Sequence, residues 1–167
     1  RQYLENAALY YLQRYATSAA NFRRVMARKI DRSCTFHKVD AAEFYPMLDD
    51  MIARYERAGL LNDGGFAAAR VSSLRRQGRS KQAITAKLQA KGLPRETIAA
   101  ALAELDGEDA ELKAAQEFAR RKKLGPWRKK PLNDPKDAQK EMAAMARAGY
   151  SFELARQVLG ATIDDED

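Results

Sequence analysis

Apolar residues recur at intervals of three and four along almost the whole chain, and no stretch sustains the strict alternation of a half-buried strand. The pattern predicts helix throughout. A first helix is expected from Gln2 to Tyr15, with Leu4, Ala8, Leu9, Leu12 and Tyr15 on one face. Thr17 or Ser18 caps a second, which carries Phe22, Val25 and Met26 and ends near Lys29 or Ile30. A polar connection from Asp31 to Asp40 leads to a third helix with Phe44, Leu48, Met51, Ile52 and Tyr55, and Pro46 falls in its first turn, where a missing N–H costs little. Gly59 stops this helix, and Asn62 or Asp63 caps a fourth that holds Phe66, Val71 and Leu74 and breaks at Gly78. Ser80 caps a fifth helix with Ile84 and Leu88, closed by Gly92. Pro94 opens a sixth with Ile98, Leu102 and Leu105, ending around Gly107. Segments Asp109 to Leu124, Lys136 to Ala148 and Ser151 to Leu159 complete a set of nine expected helices.

Those helices fall into a repeat. Ser18, Phe22, Met26 and Lys29 align without gaps on Ser80, Ile84, Leu88 and Lys91, a cap followed by two core positions one turn apart. The order of helix, capped helix, break and helix then occurs twice. A third copy matches more loosely: Leu159 answers Leu102 and Met145 answers Leu88, but Glu141 falls where Ile84 requires an apolar residue. Terminal repeats are often atypical. The expected organisation is three tandem three-helix, helix-turn-helix-like repeats over 1–60, 61–107 and 108–160, followed by an acidic, solvated tail over 161–167.

Composition sharpens this all-α reading. Aromatic residues make up 8% of the chain and alanine runs are frequent, so the helices should pack closely over thin cores. Cys34 is the single cysteine and cannot form an intramolecular disulfide, no stretch approaches the roughly 18 continuous apolar residues of a membrane span, and no hydrophobic signal core stands at the N-terminus. A cytoplasmic protein without membrane association is expected. The chain opens on Arg1 rather than Met, as a fragment lacking an N-terminal extension would.

The net charge of +7 favours an anionic partner such as nucleic acid, and the charge is unevenly placed. Residues 1–30, 61–92 and 113–130 are basic, whereas 31–60, 93–112 and 131–167 are acidic. In the first two repeats the leading pair of helices is basic and the closing helix acidic or mixed. Stacked repeats would segregate charge into a basic and an acidic side.

Three basic clusters are the candidate binding residues for nucleic acid or a filament: Arg23, Arg24 and Arg28; Arg70, Arg75, Arg76, Arg79 and Lys81; and Arg120, Arg121, Lys122, Lys123, Arg128, Lys129 and Lys130 around Trp127. Counterion release at a phosphate backbone would give such clusters salt-dependent, sequence-independent affinity. The competing, less favoured reading is a solvated helix face. Trp127 either stacks on an unpaired base, anchors a protein interface or pins its loop onto the helices, and the burial habit of tryptophan favours the last. Cys34 and His37 are only two ligands and define no metal site. No acid, base and nucleophile converge, no P-loop is present, and neither an enzyme nor a cofactor is expected.

Gly59-Leu60-Leu61-Asn62-Asp63, then Phe66-Ala67, Arg75-Arg76 and Gly78, continued by Ile84, Leu88, Lys91-Gly92-Leu93, Ile98 and Ala101-Leu102, resembles the central motif of the RecX family of RecA recombinase regulators. Ala8 to Leu12 and Ser18 to Lys29 fit the same family. The resemblance implies a monomeric, elongated, curved array of three repeats that binds the RecA filament on single- or double-stranded DNA without sequence preference. It also implies restraint of strand exchange, ATP hydrolysis and the co-protease function of the SOS response. The competing reading is a helix-turn-helix DNA-binding regulator with Ser80 to Lys91 as recognition helix, which predicts a sequence-selective duplex site.

Overall fold

The computed structural model describes residues 2–132 and 134–160; the acidic end expected as a tail lies outside the described residues. Among them the chain is all-helical, with α1 (Gln2–Leu12), α2 (Ala19–His37), α3 (Tyr45–Arg57), α4 (Asp63–Arg76), α5 (Lys81–Ala90), α6 (Arg95–Leu105), α7 (Ala110–Lys122), α8 (Pro135–Arg147) and α9 (Phe152–Gly160). Single 3-10 turns cover Ala41–Phe44 and Gly125–Trp127. The chain separates into two compact units, one of residues 1–67 and 88–98, the other of 68–87 and 99–167.

In the first unit, α2 is the central element. Ser18 stands in extended conformation and its hydroxyl accepts from the Asn21 N–H, which fixes where the helix begins. Phe22, Met26, Ile30 and Cys34 form one row at intervals of four, and all four are buried. This row corrects two sequence expectations. The helix does not end near Lys29 or Ile30, and 31–40 is not a polar connection, because Ile30 and Cys34 carry the buried stripe two turns further. The helix stops only where Lys38 turns left-handed and donates its N–H back to the Cys34 and Thr35 carbonyls. Leu48, Met51 and Ile52 of α3 and Leu4 and Ala8 of α1 complete the core, with Phe22 flanked by the rings of Tyr11 and Tyr55. Phe44, expected inside the third helix, belongs to the 3-10 turn before it.

In the second unit, which also buries Val71, Leu74, Ile84 and Leu102, the cluster around α7, α8 and α9 is built from smaller residues. Ala115 and Ala119 of α7, Met145 of α8, Tyr150, and Ala155 and Val158 of α9 form its core, with Phe118, Leu124 and Trp127 packed against them. Buried alanines let the α7 backbone lie close to its neighbours, as the composition predicts. Glu141 does not break the α8 face: its carboxylate accepts from the Gly125 N–H at 3.0 Å and from the Arg128 guanidinium at 2.7 Å. A polar residue at a core register is accommodated because it is fully partnered.

One joint occurs in both units. The Ser18 hydroxyl, besides capping α2, donates to the Lys91 carbonyl at 2.5 Å, and the Ser80 hydroxyl, besides capping α5, donates to the Ala148 carbonyl at 2.6 Å. Each accepting carbonyl precedes a glycine of positive φ, Gly92 at 81° and Gly149 at 89°. A Cβ on Gly92 would lie 2.6 Å from the Ala20 Cβ, and one on Gly149 2.6 Å from the Ser80 hydroxyl oxygen. Both backbone conformation and close approach therefore demand glycine.

In the second unit Trp127 is a single fluorescent reporter of unfolding. Ser80→Ala removes a cap and leaves a carbonyl unpaired, and should lower the unfolding free energy by about 2 kcal/mol in urea titrations. An unchanged midpoint would show that the joint contributes nothing. Tyr150 is buried and donates its hydroxyl to the Gly78 carbonyl, and burial raises its pKa above the ordinary tyrosine value. Its contribution is complete below the unfolded-state pKa of about 10 and is lost as pH rises from there toward the folded value. Wild type should therefore lose more stability than Tyr150→Phe between neutral and strongly alkaline pH.

Candidate functional site

The candidate basic residues fall into two classes by what holds them. Arg75 is interior: it bonds to both carboxylate oxygens of Asp106, to Glu111 at 2.5 Å and to the Arg79 carbonyl at 3.2 Å, with its side chain only 12% exposed. Burial pulls its pKa down, but the hydrogen bonds to Asp106 and Glu111 outweigh this and raise it. Glu111 also accepts the Lys81 N–H at 3.1 Å, so one carboxylate ties the end of α4 to the start of α5. Arg23 makes a bidentate pair with Asp49, joining α2 to α3. Arg120 and Arg121 share Glu117, and their hydrogen bonds pull that carboxyl down to about 2. Arg128 binds Glu141, whose own burial works against ionisation but is outweighed by Arg128 and the Gly125 N–H.

The second class is exposed and outside internal ion pairs, whereas Arg23, Arg120 and Arg121 of the first are exposed but paired. Arg24 and Arg28 are exposed on α2 in the first unit. In the second unit Arg76, Arg79 and Lys81 are exposed around the α4–α5 corner, and Lys122, Lys123, Lys129 and Lys130 at the end of α7 and in the loop after it. None of these forms an ion pair among the described residues. Arg70 is half-buried on α4. Trp127 packs against the second unit's core, which is its loop-pinning reading. Sequence reasoning missed Asp106, Glu111 and Glu141 as partners of the arginines. The acidic excess over 93–112 was the available signal for the first two.

A recognition helix needs its first turn open toward a duplex groove. In α5 the backbone of that turn is capped within the second unit, Lys81 N–H by Glu111 and the Ser80 hydroxyl on the Ala148 carbonyl, while the Lys81 and Gln82 side chains are exposed. Cys34 is buried in the first unit's core, and among the described residues no group of three potential metal ligands gathers.

The profile of the RecX second three-helix domain matches residues 62–102. The chain is 42% identical over 157 residues to the regulatory protein RecX of Myxococcus xanthus, covering 94% of this chain and 84% of that protein. It is 33% identical over 162 residues to the regulatory protein RecX of Agrobacterium fabrum, covering 97% and 84% respectively. The regulatory protein RecX of Mycobacterium ulcerans is 36% identical over 71% of the chain. No solved structure matches.

The two classes of arginine should respond differently to truncation. Arg75→Ala leaves Asp106 and Glu111 without their partner, and should cost about 3 kcal/mol in urea unfolding. Arg76→Ala, which loses only an exposed contact to the Ser72 hydroxyl, should stay within about 0.5 kcal/mol of wild type. Equal effects would mean that the interior network is no more consequential than the surface.

Proposed function

The chain belongs to the RecX family of regulatory proteins, and on that premise we propose that it is a non-enzymatic regulator that binds the RecA filament on DNA and restrains its recombinase, ATPase and co-protease activities. The observation that carries this reading is the relationship over nearly the whole chain to proteins named regulatory protein RecX. In this reading the protein works as a cytoplasmic monomer. No helix among the described residues is long and apolar enough to cross a membrane.

The mechanism is steric and electrostatic. We assign repeats to 1–60, 61–107 and 108–160; the recurring serine and glycine joint and the match of the second three-helix domain over 62–102 support this division. Contacts to DNA phosphates or acidic filament surface fall to the cations left outside internal pairs: Arg24 and Arg28, then Arg76, Arg79 and Lys81, then Lys122, Lys123, Lys129 and Lys130. Arg23, Arg75, Arg120, Arg121 and Arg128 act by shaping the helices that present them. Trp127 anchors the last cluster's loop.

Titration of the protein into RecA filaments on single-stranded DNA should slow ATP hydrolysis in a saturable manner; no inhibition and no filament loss at any ratio would overturn the reading. Replacing Arg76, Arg79 and Lys81 together by Ala should weaken binding and make its salt dependence shallower, while leaving the fold intact. The same triple replacement with an unchanged salt slope would remove this corner from the interface.

A further inference from the structure

The first unit contains a cleft of about 820 Å³ between the start of α1, the last turns of α2 and the turn that leads into α3. It exists because α2 continues past Ile30. Leu4, Ile30 and Met47 contribute to its apolar lining, and Phe36, Tyr3 and Val39 also line it while standing 82%, 64% and 48% exposed. Apolar side chains left this open around one concavity mark an interaction site more often than idle surface.

Lys29, Arg32, Ser33 and Phe36 all line the cleft, and their spacing of three, four and seven places them on a single stripe of α2. Ile30 and Cys34 of the same turns point into the core. The stripe therefore presents two cations and an aromatic ring together, with His37 edge-on to Phe36 at 5.1 Å between ring centroids. No aspartate or glutamate is among the lining residues, and the nearby Asp31 carboxylate accepts from the Tyr45 hydroxyl at 2.5 Å.

We propose that this cleft docks an acidic amphipathic peptide segment of a protein partner, one bulky apolar side chain seated beside Phe36 and flanking carboxylates against Arg32 and Lys29. Apolar anchoring in a groove with charges at its rim is the usual chemistry of such recognition. Two features favour peptide over nucleic acid. Lys29 and Arg32 are too few to follow a phosphate backbone, and aliphatic residues contribute as much of the lining as the aromatic rings on which bases would stack. The inference goes beyond the filament reading and stands whether or not RecA is the partner.

The test is selection of random peptides on phage against the full chain, with Phe36→Ala/Arg32→Glu as the comparison protein. Both changed side chains are exposed, so circular dichroism and thermal unfolding of the double variant should match wild type. Selected peptides should be rich in Asp and Glu around an aromatic or aliphatic residue, and synthetic versions should bind the variant at least tenfold more weakly in fluorescence anisotropy. Replacing their Asp and Glu by Asn and Gln should cause a similar loss on wild type. The proposal fails if no peptide is enriched, if enriched peptides lack acidic residues, or if they bind both proteins equally. It fails also if the double variant alone loses binding to an oligothymidylate, which assigns the cleft to nucleic acid. Self-association in sedimentation that the double variant abolishes assigns it to a second copy, with the same consequence.

Discussion

A serine hydroxyl that serves two backbones at once is the contact on which this architecture turns. Ser18 and Ser80 each accept an N–H from the first turn of their own helix, that of Asn21 or Ala83, and donate to a carbonyl far along the chain, Lys91 in one case and Ala148 in the other. Both serines are buried completely, so neither bond competes with water, and loss of either would strand a buried polar group. The glycine after each accepting carbonyl completes the contact, since a side chain there would collide with the helix start that the serine caps. The small buried residues of α7 and α9 supply little apolar area per helix. A directional bond at the point of closest backbone approach sets the register that such packing leaves loosely specified.

Charge in this molecule has two separate duties. Arginines beside acidic residues fasten elements together: Arg75 with Asp106 and Glu111, Arg23 with Asp49, Arg128 with Glu141. The planar guanidinium suits this role because it can bond to two carboxylate oxygens at once. Lysines dominate the solvent-facing set at the end of α7 and the following loop, where a flexible point charge suits a phosphate surface. The net charge is a property of both populations, and the proposed function calls on the unpaired one.

Helix placement was legible in the sequence wherever a cap or a glycine marks an end. Ser18, Ser80, Gly59, Gly78 and Gly92 all sit at helix boundaries. The end of α2 was not legible, because Lys38 adopts the left-handed conformation without being glycine and no residue type announces it. The row of Phe22, Met26, Ile30 and Cys34 was visible, but the charged residues between its last members looked like a loop. Site residues were less legible still. Arg75 and Arg76 are adjacent and chemically identical, and only the helical phase relative to Asp106 and Glu111 decides that one is interior and the other exposed.

Glu141 shows why a broken pattern can be informative. A third repeat that copied the second would carry an apolar residue there, and a methyl group could fill the space. It could not hold the Gly125 N–H or orient Arg128. The Gly125–Trp127 turn lies against α9 so closely that a Cβ on Gly125 would meet the Leu159 Cα at 2.8 Å, and Trp127 closes over the same core. Lys129 and Lys130 follow directly from this turn and are exposed. The carboxylate that departs from the repeat thus fixes the loop from which two of the solvent-facing cations emerge, and the departure lies where the repeat acquires something to present.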